Sequence, residues 1–173
     1  QYLGNTLELI ATEKAGIIKT GIPIIIGETT PETKPVFKTK AAEVNAPIYF
    51  AEEEHLLISQ QAAPQGGWIY QTRDYSDLYG ELGGIYQIKN TNTLLSIIKQ
   101  LKDLGLPINE KSIREGFGKV SELTGLTGRW QQLQESPRIV CDTGHNPDGI
   151  KYIVEQLKQQ SYKRLHIIIG MVN

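Results

Sequence analysis

The stretch Val140-Cys141-Asp142-Thr143-Gly144-His145-Asn146-Pro147-Asp148-Gly149 decides how this chain is read. The apolar residues before it predict a strand over Arg138–Asp142, and the pattern after it predicts a helix over Gly149–Gln160. Between them a short polar turn carries Asp142, His145 and Asn146 to the end of the strand. In open α/β sheets that end is where ligands collect, and a helix N-terminus there favours anions. A plainer reading is a capped turn, with Asn146 or Asp148 as the helix cap. A second strand is expected over Leu165–Ile169, which completes a βαβ unit.

Upstream of this unit, Glu135-Ser136-Pro137 reads as a hinge, so a domain boundary is expected near 135. The first domain then spans 1–135 and the second 136–173. Within the first, Leu3, Leu7, Ile10, Ala11, Lys14 and Ala15 recur near a 3.6 period and predict a helix closed by Gly16 or Gly21. Ile22–Gly27 predicts a short buried strand, Val36–Val44 a helix, and Ala46–Phe50 the next strand. This alternation implies α/β architecture with parallel strands. Gln60–Gly67 reads as a polar loop, and Trp68–Thr72 and Leu78–Ile85 as antiparallel strands. Asn90–Leu104 is an amphipathic helix ended by Gly105. A shorter helix follows over Asn109–Val120, with Asn109 as its cap.

Composition narrows the classes. The 173 residues are 39% hydrophobic and 21% charged, enough to bury a core and too apolar for disorder. Eighteen Lys and Arg against 19 Asp and Glu give a formal charge of −1, so no general basic field attracts nucleic acid. The single cysteine, Cys141, excludes an internal disulfide framework and suits a reducing, cytoplasmic setting. The longest apolar runs are strand-sized, far below the roughly 20 residues of a membrane-spanning helix. The first residues lack a signal-peptide pattern. Both ends read as cut from a longer chain.

Three further motifs carry chemistry only in combination. Glu13-Lys14-Ala15-Gly16-Ile17-Ile18-Lys19 alone is an ordinary helix end. Asn90-Thr91-Asn92-Thr93-Leu94 alone is an ordinary helix start. Leu123-Thr124-Gly125-Leu126-Thr127-Gly128-Arg129-Trp130 places an arginine between loop glycines, which suits either an anion site or an Arg stacked on its neighbouring Trp.

Taken in order with the Asp142–Gly149 stretch, these motifs resemble the Mur-ligase superfamily and, within it, the folylpolyglutamate synthase/dihydrofolate synthase family. The resemblance runs from Leu3-Gly4-x-Thr6-Leu7-x-x-Ile10-Ala11-x-Glu13-Lys14-Ala15-Gly16-Ile17-Ile18-Lys19 and Gly21-x-Pro23, through Gln87-x-x-Asn90 and Gly128-Arg129-Trp130-Gln131. It continues with Asp142-x-x-His145-Asn146-Pro147-x-Gly149 and Gly170-Met171. It implies the end of a P-loop-type ATPase domain, with a parallel sheet and a small antiparallel section. The first βαβ of a Rossmann-like, glutamate-binding C-terminal domain follows.

The resemblance also implies a reaction. A carboxylate of dihydropteroate, or of a folate's terminal glutamate, attacks the γ-phosphorus of ATP, and L-glutamate's amine then attacks the acyl phosphate. Lys14 matches a lysine that the family carbamylates, which would support Mg²⁺ together with ligands upstream of this chain. Carbon dioxide adds only to a neutral amine, so burial or neighbouring cations are expected there. Arg129 matches a phosphate contact, Asp142 a nucleotide contact at the ribose, and Asn90 an asparagine near the adenine. His145 matches a histidine at the domain cleft, assigned to catalysis with Lys14. Thr143 and Gly144 depart mildly from the small residues usual at their positions.

With Arg129 before the expected hinge and Asp142 after it, ATP would be held from both domains and closure would complete the site. The chain alone is then expected to be inactive, and the parent enzyme monomeric. Two other readings stay open: another Mur-type ligase such as a muramyl-peptide synthetase, and a non-catalytic nucleotide-binding module.

Overall fold

A computed structural model describes residues 5–170. Contacts divide the chain into two compact units. One comprises the stretch up to Ile58 together with Lys89–Ile108, and the other Ser59–Ile88 together with the chain from Asn109 onward.

In the first unit, α1 (Leu7–Ala15) starts where the Thr6 hydroxyl accepts the Leu9 N–H at 3.2 Å, and Gly16 closes it. Leu3 lies outside the described residues. Leu7 is exposed, and the face that packs inward is narrower than the periodicity predicts, with Ala11, Ala15 and the following Ile18 buried. They form one core with Phe37 and Ala41 of α2 (Thr33–Glu43). Alanines at the crossing let the two helices approach closely. Strands β1 (Ile24–Ile26) and β2 (Ile48–Phe50) pair in parallel, Ile25 opposite Tyr49, as the helix–strand alternation predicts. All three residues of β1 are half-buried rather than fully buried.

The single turn α3 (Ala51–Glu54) follows β2. Helix α4 (Gln87–Asp103) begins three residues before Asn90, so Asn90 lies inside the helix and is not its cap. Asn92, one turn into α4, is the joint between α4 and its neighbours. Its Oδ1 accepts the Leu57 N–H at 3.1 Å and its Nδ2 donates to the Ala51 carbonyl at 2.6 Å. Gly105, at φ +85°, ends the run as expected.

The second unit holds a three-stranded sheet in the order β3 (Leu57–Ala62), β4 (Trp68–Thr72), β5 (Leu78–Gly80). Strand β3 differs from the sequence reading, in which Gln60–Gly67 is a loop and no strand precedes it. Its residues after Leu57 are exposed, so no apolar alternation marks it. Strands β4 and β5 are antiparallel, Ile69 opposite Tyr79. Tyr70 of β4 meets Phe117 of α5 (Glu110–Gly118) edge to face, with ring centroids 6.5 Å apart. Asn109 caps α5 through its Oδ1, which accepts the Ser112 N–H at 2.9 Å. The short α6 (Val120–Thr124) follows, its Ser121 N–H donating to Glu81 Oε2 at 2.9 Å.

Two expectations near the chain's end are corrected. The supposed hinge at Glu135-Ser136-Pro137 is the turn of a hairpin, since β6 (Gln131–Gln134) and β7 (Ile139–Cys141) pair antiparallel across it. Proline breaks the strand pattern there because it cannot donate to a ladder. The strand expected over Leu165–Ile169 is not formed, so no βαβ unit is completed among the described residues. Ile168 is fully exposed and Ile169 is 78% exposed. Consecutive isoleucines favour extended backbone, but an extended run becomes a strand only when its N–H and C=O groups find a neighbour. Helix α7 (Pro147–Lys158) is present and starts two residues earlier than predicted.

Candidate functional site

The sequence places Arg129, Asp142 and His145 on two sides of a boundary, and the structure brings them into one cluster. They flank the β6–β7 hairpin, where Gln131 lies opposite Cys141. The boundary expected near 135 does not separate Arg129 from Asp142: both belong to the same compact unit.

The cluster is built on backbone. Gly128 is buried at φ +70°, and a Cβ there would meet Thr143 Cγ2 at 2.5 Å. Only glycine allows that approach. The Gly128 carbonyl accepts the Thr143 N–H at 2.9 Å, the Thr143 hydroxyl at 3.1 Å and the Arg129 Nη1 at 3.3 Å. Arg129 Nη1 also donates to Thr143 Oγ1. The guanidinium is therefore held against the Asp142–Asn146 turn.

Asp142 joins three pieces of chain. Its Oδ2 accepts the Trp130 N–H at 2.8 Å and the Tyr86 hydroxyl at 2.9 Å, and its Oδ1 accepts the Gly144 N–H at 2.7 Å. Burial pushes the Tyr86 hydroxyl pKa well above its ordinary 10.0, reinforced by the hydrogen bond to Asp142. A carboxylate offers about four lone-pair sites, so roughly one is left for a ligand.

His145 is exposed, and its Nδ1 lies 3.1 Å from the Thr143 carbonyl. With Nδ1 protonated it donates there, leaving Nε2 as an acceptor at the surface. Asn146 caps α7, its Oδ1 accepting the Gly149 N–H at 2.7 Å. The free N–H groups of that helix start carry partial positive charge.

Lys14 and Asn90 belong to the other unit. Lys14 stands on the last turn of α1 with its side chain exposed, rather than in the buried setting expected for a neutral amine. Asn90 is exposed on the first turns of α4. Among the described residues, no group of three or more His, Cys, Asp or Glu side chains could hold a metal ion. A carbamate on Lys14 would add two oxygens, so these residues do not make a Mg²⁺ site by themselves.

Sequence reasoning missed Tyr86 and Gln156. Gln156 of α7 is buried at 6% exposure. Its Oε1 accepts the Ile85 N–H and its Nε2 donates to the Gly83 carbonyl, each at 2.8 Å. The available signal for Gln156 was its helical spacing from Ile153 and Tyr152. Among the described residues no helix is long and apolar enough to cross a membrane.

Known proteins resemble this chain along nearly its whole length. The Mur ligase, glutamate ligase domain profile matches residues 128–173, starting at the glycine that founds the cluster. The dihydrofolate synthase/folylpolyglutamate synthase of Bacillus subtilis is 32% identical over 91% of this chain and 37% of its own length. The folylpolyglutamate synthase of Lacticaseibacillus casei is 31% identical over 99% of this chain and 40% of its own. The chain thus spans about two-fifths of the length of these relatives. The apo structure of the L. casei enzyme superposes with a TM-score of 0.77 at 31% identity, covering 91% of this chain and 38% of that one. The Mycobacterium tuberculosis folylpolyglutamate synthase solved with ADP and AMPPCP gives 0.75 at 26% identity, covering 92% and 36%. Motif order, sequence and backbone all match the folylpolyglutamate synthase/dihydrofolate synthase family of Mur ligases over nearly the whole of this chain.

Proposed function

We propose that this chain works as part of an ATP-dependent amide ligase that adds L-glutamate to dihydropteroate, to folate polyglutamates, or to both. The observation that carries the reading is the cluster around the Gly128 carbonyl, where the Arg129 guanidinium, the Asp142 carboxylate and the His145 turn meet. Relatives solved with AMPPCP, and with AMPPCP and folate, favour nucleotide and folate ligands.

In this reading Arg129 takes phosphate oxygens, for which a planar guanidinium is suited to bidentate contact. Asp142 turns its remaining acceptor site toward a ribose hydroxyl. His145 Nε2 meets phosphate or the acceptor carboxylate. Asn90 reads the adenine. The substrate carboxylate attacks the γ-phosphorus, releasing ADP. The resulting acyl phosphate is attacked by glutamate's amine, giving the amide and inorganic phosphate. Little covalent chemistry is asked of the protein, and charge neutralisation and alignment supply the rate.

Mg²⁺ enters as a cofactor of the whole ligase, with Lys14 as a carbamate the contribution expected from this chain. We assign the chain to the end of a P-loop-type ATPase domain followed by the start of the glutamate-binding domain. The hairpin and the family match favour entry into that second domain from Gly128. A cytoplasmic, monomeric enzyme is part of the same reading.

The test is ATP-dependent transfer of radiolabelled glutamate by the ligase that contains this chain. Tetrahydrofolate and dihydropteroate are compared with UDP-linked muramyl acids as acceptors. Transfer to the pterin acceptors alone supports the reading, and transfer to the muramyl acids alone overturns it.

A further inference from the structure

Tyr86 has no role in the reading above, yet it touches the centre of the cluster. It lies in the turn just before α4, and it reaches Asp142 across 56 residues of sequence. Its hydroxyl donates to the same Oδ2 that accepts the Trp130 N–H. The residue is half-buried, with its ring 6.2 Å from that of Tyr152 on α7.

Trp130 follows Arg129 directly and sits at φ +49°, a backbone region that non-glycine residues rarely occupy. A conformation of that kind persists when its surroundings over-determine it. The Trp130 N–H has the Asp142 carboxylate as its partner, and so the fixed setting of Arg129 depends on where that carboxylate stands. On its other oxygen, Asp142 holds the Gly144 N–H, next to His145. One carboxylate therefore sets the positions of both residues assigned to phosphate contact. The Tyr86 hydroxyl is the side-chain donor that fixes this carboxylate. The other two donors are backbone groups of the segments being positioned.

We propose that Tyr86 is a positioning residue for Arg129 and His145, acting through the Asp142 carboxylate. The proposal rests on the reading of Arg129 as a phosphate contact. Without the hydroxyl, Asp142 keeps its two backbone donors but can swing about its side-chain torsions, and the Arg129 and His145 segments then sample more than one arrangement. Misalignment of phosphate-contacting groups is felt in the transition state more than in ground-state substrate binding.

The experiment uses the ligase that contains this chain and compares wild type, Tyr86→Phe, Arg129→Ala and the double variant, all well below their melting midpoints. Loss of one hydrogen bond to a charged acceptor lowers kcat in Tyr86→Phe by about ten-fold, with the KM for glutamate unchanged. In the Arg129→Ala background the same substitution has less than about a three-fold further effect, because its route to the reaction is already gone. Amide hydrogen exchange of the chain itself is the second measurement, and it needs no activity. The Trp130 and Gly144 amides exchange faster in Tyr86→Phe, while those of β1 and β2 are unchanged.

A wild-type kcat in Tyr86→Phe, beside a strongly impaired Arg129→Ala, overturns the role of Tyr86 and leaves the reading of Arg129 standing. Full activity in Arg129→Ala overturns both. Equal and independent losses from the two substitutions also overturn the proposal, since they show that Tyr86 does not act through Arg129.

Discussion

Asp142 accepts the backbone N–H of Trp130 at 2.8 Å, across the base of the β6–β7 hairpin. That bond fixes the segment carrying Arg129 against the turn carrying His145. It makes the cluster a property of one hairpin rather than of two lobes that must close. In the proposed function, groups held this way are preorganised and need little rearrangement as charge develops.

Gly128 is where this arrangement is least tolerant of change. Its positive φ and the 2.5 Å approach that a Cβ would make to Thr143 Cγ2 leave no room for alanine. Gly128→Ala should destabilise the second unit by about 2 kcal/mol, through strain and a displaced Thr143. Urea denaturation of wild type and variant measures it. An unchanged midpoint would remove the glycine argument.

Gln156 ties α7 to the Gly83–Ile85 backbone through both ends of its amide. Gln156→Leu keeps the bulk but strands a backbone donor and a backbone acceptor. A loss of about 3 kcal/mol is expected. Denaturant melts check the size, and hydrogen exchange at the Ile85 amide checks the mechanism.

The raised Tyr86 pKa carries a pH dependence. The folded chain holds the phenolic proton more tightly than the unfolded chain does, because burial and the Asp142 carboxylate disfavour the phenolate. Its contribution to stability is complete below the ordinary tyrosine value of 10.0 and is lost as pH rises above it. Burial raises the Tyr79 pKa in the same direction, so some alkaline loss remains when Tyr86 is replaced. Melting curves at pH 8 and pH 10.5 should show a larger drop for wild type than for Tyr86→Phe.

Lys14 tests the part of the account that comes from the first unit. In the ligase containing this chain, Lys14→Ala should abolish most glutamate transfer, and added acetate should restore part of it by standing in for the carbamate oxygens. Full activity without acetate would separate Lys14 from the reaction.

Much of the framework can be read from local pattern. Parallel pairing of Ile24–Ile26 with Ile48–Phe50 follows from two short apolar runs of β-branched and aromatic residues separated by a helix. Asn109, Asn146 and Gly105 announce helix ends by their own chemistry. What could not be read depends on partners distant in the chain. Strand β3 is a polar stretch held beside β4, and nothing in Ser59-Gln60-Gln61 encodes that neighbour. Ser136-Pro137 looks the same in a linker and in a hairpin turn, and pairing of Gln131 with Cys141 decides between them. The isoleucines of 167–169 have the composition of a strand and no ladder. Within the site, Arg129, Asp142 and His145 stand in recognisable motifs. Tyr86 does not, because its role arises from a contact 56 residues away.

The most direct test of the phosphate-binding cluster is calorimetric titration of AMPPCP into the ligase containing this chain, as wild type and as Arg129→Ala. Loss of a charge-assisted contact should weaken binding by about ten-fold or more, and Arg129→Lys should recover only part of it. Identical affinity for all three proteins would contradict the claim that this hairpin grips the nucleotide.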